Sequence, residues 1–460
     1  MMLRTVFIAC VVGCVLAKNV KQSTNPSLRN STTGETDVLY RHEVLRADIY
    51  EVAWTVDFSK EEISFSVSAK TKGFVGFGIS YTGSMQYSDI VIGGVFDNGT
   101  TYFADWHGDT STANGFPIRD AHQDWFLDEA IENATHTNLV FHRLLNTCDN
   151  EDIAITNDTF KIIWSYGNTD QISYHGDNRG ALAVNLLDPP SEAHDLSKYT
   201  LWRVAYPLDL PAEDTTYWCT YFKGPKLDKK HHYVGFNIFL NGSSSHQHTH
   251  HADLYKCTPP NGENIDEFFS KHVGYGYDCY FSKEYHPVEH CQLFESQWSI
   301  GGKVTMFPEN TGVPIGEEET EYYMTEIHYD NPKKLAGVKV HSGMEMYYTD
   351  QLREQDAGFL QVGVMTAKSY SLTVPPNSQE FVVSSHCPSE CTSNIPKEGV
   401  NAFVYLLHSH LSGRKERVRH FRGNEELPFL ANDEHYDFNY QNNRHFRTEL
   451  KLLPGDHLTL

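Results

Sequence analysis

Ile63, Phe65, Val67 and Ala69 alternate with Ser64, Ser66 and Ser68, the period of a strand with one buried face. Two apolar runs follow, Gly73 to Ile79 and Asp89 to Val95, and Asn98-Gly99 marks a hairpin turn before Tyr102 and Phe103. This spacing predicts a β-sandwich over residues 37–165. Glycines at 73, 76 and 78 do not make a nucleotide loop, because no helical pattern follows them. A Pro-bearing stretch through Pro189, Pro190, Pro207 and Pro211 reads as a linker over 166–213. Beyond Asp214 the pattern is again short strands: Tyr233 to Leu240, Gly302 to Phe307, Tyr322 to His328, Gly358 to Met365, Phe381 to Ser385 and Ala402 to His408. Helical periodicity is confined to a turn at Ile265 to Lys271. The chain is therefore read as all-β, with two more sandwiches at 214–360 and 361–460.

The apolar run from Val6 to Ala17 follows Arg4 and is too short to span a bilayer, so residues 1–17 read as a secretory signal. A polar segment, 18–36, comes next, and no later stretch is apolar enough for a transmembrane helix. Sequons at Asn30, Asn98, Asn133, Asn157 and Asn241 fit an exported glycoprotein. The formal net charge of −23 argues against nucleic acid or anionic lipid as a partner. Setting aside Cys10 and Cys14 leaves seven cysteines, an odd number for an oxidising compartment and compatible with a disulfide-linked oligomer.

Histidine carries the candidate chemistry. It clusters in His246-Gln-His248-Thr-His250-His251, in Glu326-Ile-His328-Tyr-Asp330, and in His408-Ser-His410. A lone histidine in a β-protein is more often a hydrogen-bonded surface group than a ligand, and a histidine-rich tract can bind metal adventitiously. Three clusters on one scaffold favour a metal site. His408 and His410, two apart, share a strand face and can chelate one ion. No carboxylate or thiolate stands in register to complete a zinc tetrahedron, which favours copper. The same rule would pair His248 with His250, and it places Glu326 on the face of His328 as an outer partner.

These segments resemble the copper-ligand motifs of the copper type II ascorbate-dependent monooxygenases. So do Asp214-Thr-Thr-Tyr217-Trp-Cys219, Tyr174-His-Gly-Asp-Asn-Arg-Gly180 and His386-Cys-Pro-Ser-Glu-Cys391, while the first sandwich is similar to the family's DOMON domain. The segments at 420–422 and 438–441 are most similar to the dopamine beta-hydroxylase-like monooxygenases. The likeness runs from about Val38 to Leu460.

The resemblance implies a DOMON-like sandwich followed by two jelly-roll-like copper domains. It implies that His250, His251 and His328 bind a first copper that stores an electron, and that His408 and His410 bind a second where O2 is activated. Choosing the adjacent His250 and His251 implies local bending. The implied reaction hydroxylates a small amine or related organic substrate with O2 and ascorbate in the secretory pathway or outside the cell. The implied disulfides are Cys219 with Cys279 and Cys257 with Cys291. The family's second copper also takes a Met lying beyond a Pro-Gly-Asp turn. Here that turn is Pro454-Gly-Asp456, four residues from Leu460, and no methionine follows Met365. An incomplete last sandwich, impaired activity and unpaired Cys148, Cys387 and Cys391 are therefore expected. The alternative is a non-catalytic secreted copper-binding or interaction protein on the same scaffold. By likeness to other DOMON modules, Met85 and His107 are the residues a haem or sugar would use.

Overall fold

The computed structural model describes residues 8–16, 38–112, 115–188, 194–364 and 374–460. The polar segment 18–36 with Asn30, and Met365, lie outside them. The chain is all-β and divides into two compact units, one of Thr24–Pro190 with Asn432–Asp437, the other of Met1–Ser23, Ser191–Ala431 and Phe438–Leu460. No helix among the described residues is long and apolar enough to cross a membrane.

The first unit stacks two antiparallel sheets. One runs Val38–Arg46, Tyr50–Asp57, Glu62–Ala69, Thr137–Leu144 and Phe126–Glu132. The other runs Arg179–Val184, Phe160–Tyr166, Val75–Ser80, Asp89–Val95, Thr101–His107 and Ile118–Arg119. Alternation in Glu62–Ala69 does what its pattern requires: Ile63, Phe65, Val67 and Ala69 enter the core beside Trp54, Phe77, Trp125 and Phe141. Strand Arg179–Val184 belongs to this sandwich and Thr200–Asp209 pairs with Lys339–Thr349 in the other unit. The stretch read as a linker, 166–213, thus contributes a strand to each unit, its prolines notwithstanding. Pro207 sits on an edge strand of its sheet, where a missing N–H costs no ladder bond.

Asp105 is fully buried on Thr101–His107; one carboxylate oxygen accepts the Asp124 N–H and the other has no hydrogen-bond partner. Burial, and then the charge of Asp89, push its carboxyl up to about 9. A carboxyl whose pKa is raised on folding favours the folded state at low pH and loses that advantage as pH rises through the folded value. The stability of this unit is expected to fall between about pH 4 and 9 by up to roughly 1.4 kcal/mol per pH unit. Asp105→Asn should flatten that slope in calorimetry of the intact chain, and an unchanged slope would place the titration elsewhere.

The second unit holds three sheets. A five-stranded one orders Gly276–Asp278, Thr215–Lys223, Tyr322–Asp330, Thr249–Cys257 and Leu293–Ser299. A longer one orders Thr200–Asp209, Lys339–Thr349, His231–Leu240, Thr311–Ile315, Gln355–Val364, Ile8–Leu16, Val400–Ser409 and Arg444–Leu452. Ile8–Leu16, inside the run read as a signal, pairs antiparallel with both of its neighbours. The boundary expected at 360/361 falls within Gln355–Val364, and the two later sandwiches lie in one compact unit. Of the expected strands, Phe381 to Ser385 is not one; the short strand there is His386–Cys387. The expected helical turn is Ile265–Phe269, with Asn264 accepting the Asp266 and Glu267 N–H groups as its N-cap.

Cys219 joins Cys279 and Cys257 joins Cys291, as the resemblance implied. Both cystines are buried with Phe268, Phe269 and Tyr322. Each closes a loop, over sequence separations of 60 and 34 residues. Removing either by a paired Cys→Ser change is expected to cost about 2–5 kcal/mol in denaturant unfolding, and a change within error would show that the cystine is dispensable. Cys148, Cys387 and Cys391 are free thiols.

Candidate metal centre

Three strands of the second unit deliver five histidines to one place. His250 and His251 open Thr249–Cys257, His328 lies in Tyr322–Asp330, and His408 and His410 stand at the end of Val400–Ser409. The histidine tract divides before it reaches the site: Ser243–His248 is a short helix carrying His246 and His248, and the strand begins at Thr249. His248 meets the Asp330 carbonyl. Where the strand pairs with Tyr322–Asp330 the register shifts between Thr249 and His251. Such a bulge inserts an extra residue and re-aims its side chain, so adjacent residues turn imidazoles toward a common point. Strand alternation alone misses this.

His250 Nδ1 is 3.3 Å from His251 Nδ1, which is 3.4 Å from His328 Nδ1. Two imidazole nitrogens each about 2.0–2.1 Å from one ion, at a tetrahedral angle, lie about 3.3–3.4 Å apart. The separations therefore fit a shared ion. His251, His408 and His410 form a second set, with ligand atoms within 4.8 Å of one another. His251 belongs to both sets.

All five side chains are buried, from 2% exposed at His250 to 9% at His410. Burial, and then the neighbouring His328, push the His250 imidazole down to about 4. Burial and the other imidazoles hold His251 and His408 well below the usual histidine range. These three rings are neutral at physiological pH and offer lone pairs to a cation. An all-imidazole set suits copper or zinc, and no thiolate enters it.

Outer contacts fix the rings. His408 Nδ1 bonds the Gln441 side-chain oxygen, which leaves Nε2 for an ion. Phe438 stacks on His250 at 4.0 Å. Sequence reading marked 438–441 only as a family likeness; its place against the site comes from the fold. Asp330 Oδ1 lies 3.1 Å from His328 Nε2. Glu326, expected in that role, instead accepts from Tyr280 Oη at 2.7 Å, and burial raises its carboxyl to about 7. Tyr217 was quoted only within a motif, yet it stacks on His328 at 4.5 Å and 8°, and its hydroxyl is 3.1 Å from His410 Nε2.

The other candidates have ordinary surroundings. Met85 packs against Phe74, Ile90 and Ile92, and His107 bonds Asp120. His107, Asp120 and Glu151, and separately Asp89, Asp105 and Asp152, are further groups spaced to hold an ion; only His107 among them was singled out in the sequence. Asn98, Asn133, Asn157 and Asn241 are exposed.

Three family models match. The N-terminal domain of copper type II ascorbate-dependent monooxygenases covers residues 203–336, the C-terminal domain of the same enzymes covers 355–460, and the DOMON domain covers 46–167. Both histidine sets fall inside the matched copper-domain segments. The chain is 36% identical to DBH-like monooxygenase protein 1 of Gallus gallus over 86% of its own length, spanning 64% of that relative. It is 34% identical to DBH-like monooxygenase protein 1 of Homo sapiens, over 94% of this chain and 70% of the relative. Identity to dopamine beta-hydroxylase of Rattus norvegicus is 28%, over 94% and 68%.

Proposed function

Because the chain belongs to the copper type II ascorbate-dependent monooxygenases, we propose that it is a secreted copper enzyme hydroxylating a small amine or related organic substrate with O2 and ascorbate. The observation that carries this reading is the convergence of five buried imidazoles in two sets that share His251.

His250, His251 and His328 would hold one ion, and His408 and His410, with His251 shared between the two sets, the other, two coppers per chain. Bound there and reduced by ascorbate, copper supplies the one-electron chemistry that O2 activation needs. The protein's part is positional. Gln441 sets the tautomer and tilt of His408, and the Asp330 carboxylate lies beside His328. Tyr217 and Phe438 cover imidazole faces and keep water from them, which limits side reactions of oxidised species. The exposed sequons and the two cystines support the secretory route, with glycans at Asn98, Asn133, Asn157 and Asn241.

A second reading, a secreted copper-binding protein without turnover, draws on the same sharing of His251, since one ligand common to both sets also suits a single ion. Oxygen uptake separates the two. Copper-loaded chain with ascorbate and a panel of aryl- and alkylamines should consume O2 in step with hydroxylated product. Copper binding with no amine-dependent uptake would leave the binding reading.

A further inference from the structure

Resting on the copper reading above, we propose that Tyr217 and Tyr280 form an aromatic relay that carries oxidising equivalents from the histidine centre out to solvent. The five imidazoles are each under a tenth exposed, so an electron from a reductant the size of ascorbate reaches them most readily through the side chains that cover them. An oxidising equivalent left there without substrate must be quenched through the protein, or it will oxidise the ligands.

Two non-histidine rings that contact these imidazoles are Tyr217 and Phe438. Of the two, a phenol is readily oxidised and a benzyl ring is not. Tyr217 reaches three of the five, at ring-centre distances of 4.5 Å to His328, 5.8 Å to His410 and 6.1 Å to His251. Its outer neighbour is Tyr280, edge-on at 5.4 Å. Tyr280 is 44% exposed, and Phe281 beside it 85%. The path from centre to water is therefore two phenols long, each step within ordinary aromatic contact.

The electron count closes. The oxidised centre takes one electron from the Tyr217 ring, which is refilled at once from Tyr280 and so keeps its own phenol proton. The Tyr280 phenol passes its proton along the bond it already makes to Glu326. A one-electron donor of the ascorbate class in solvent then restores Tyr280, the proton returning from Glu326. No heavy-atom bond forms or breaks, and one reductant molecule is oxidised for each equivalent removed.

The test takes the copper(II)-loaded full chain, reduces it with a single equivalent of ascorbate so that none is left to repair Tyr280, adds hydrogen peroxide to generate oxidising equivalents at bound copper without substrate turnover, and maps oxidised residues by peptide mass spectrometry. Wild type should be oxidised first at Tyr280. In Tyr280→Phe, oxidation should move inward to Tyr217 and the histidines, and copper should be lost several-fold sooner, with the copper(II) EPR spectrum before treatment matching wild type. Tyr217→Phe should leave Tyr280 unoxidised. An unchanged map and copper lifetime in Tyr280→Phe, or oxidation of Tyr280 persisting in Tyr217→Phe, would overturn the relay. A chain that binds no copper overturns the relay together with the reading it rests on. Because peroxide replaces turnover, the map decides the relay even in a chain that hydroxylates nothing.

Discussion

Replacing His251 by alanine is expected to disable both histidine sets at once, while no other single ligand change does. His251 Nδ1 lies 3.3 Å from His250 Nδ1 and 3.4 Å from His328 Nδ1, and its ring centre is 4.8 Å from that of His408. Losing an outer partner of a metal ligand typically costs about 10–100-fold in affinity, so losing the ligand itself should exceed roughly 100-fold. His251→Ala should therefore lose copper from both sets and abolish ascorbate-dependent oxygen uptake. His408→Ala should spare the ion held by His250, His251 and His328. Equilibrium dialysis against a copper chelator gives the affinities. Equal, single-ion losses in the two variants would mean that His251 serves one set only.

Arg143→Met is expected to destabilise the DOMON-matching unit by about 3–5 kcal/mol, because it removes one partner from a buried ion pair and strands the other. Arg143 and Asp89 are both fully buried and in direct contact. Asp89 also accepts the Trp125 indole N–H at 2.6 Å and the Ile153 N–H at 3.1 Å, while Asp152 approaches Arg143 at 3.6 Å. Without the guanidinium, the Asp89 and Asp152 carboxylates and the buried Asp105 face one another uncompensated. The double change Arg143→Met/Asp89→Asn should recover much of the loss, because it removes the stranded charge as well. Denaturant unfolding followed through the buried Trp54, Trp125 and Trp164 reads both variants. A loss below about 1 kcal/mol for Arg143→Met, the scale of an exposed pair, would show that this pair is not holding the core together.

Much of this architecture was legible because strand periodicity is local. The alternation in Glu62–Ala69, the apolar run of Asp89–Val95 and the ligand strand Val400–Ser409 appear where the side-chain pattern puts them. Phe381 to Ser385 has the composition of a strand, yet its Phe381 and Val382 are exposed and it joins no sheet; composition does not say whether a partner edge is available. The strand Thr200–Asp209 was hidden by Pro207, which sits on an edge strand, where the ladder tolerates it.

The site was legible in its residues and not in its geometry. Periodicity paired His248 with His250, whereas a helix ending at His248 and a bulge at Thr249/His251 bring His250 and His251 together. Glu326, expected as an outer partner of His328, is engaged instead by the Tyr280 hydroxyl, and Asp330 takes the contact with His328. Gln441, Phe438 and Tyr217 are distant in sequence from the imidazoles they touch, by 33 residues in the case of Gln441 and His408. Such contacts exist only once the sheets have formed.

The most direct test of the central claim is to count copper per chain by metal analysis after dialysis. Wild type should be compared with His250→Ala/His328→Ala and with His408→Ala/His410→Ala. Two ions in wild type, with one lost in each double variant, is the result expected of two imidazole sets. No copper in wild type, or copper that survives both double variants, would contradict it.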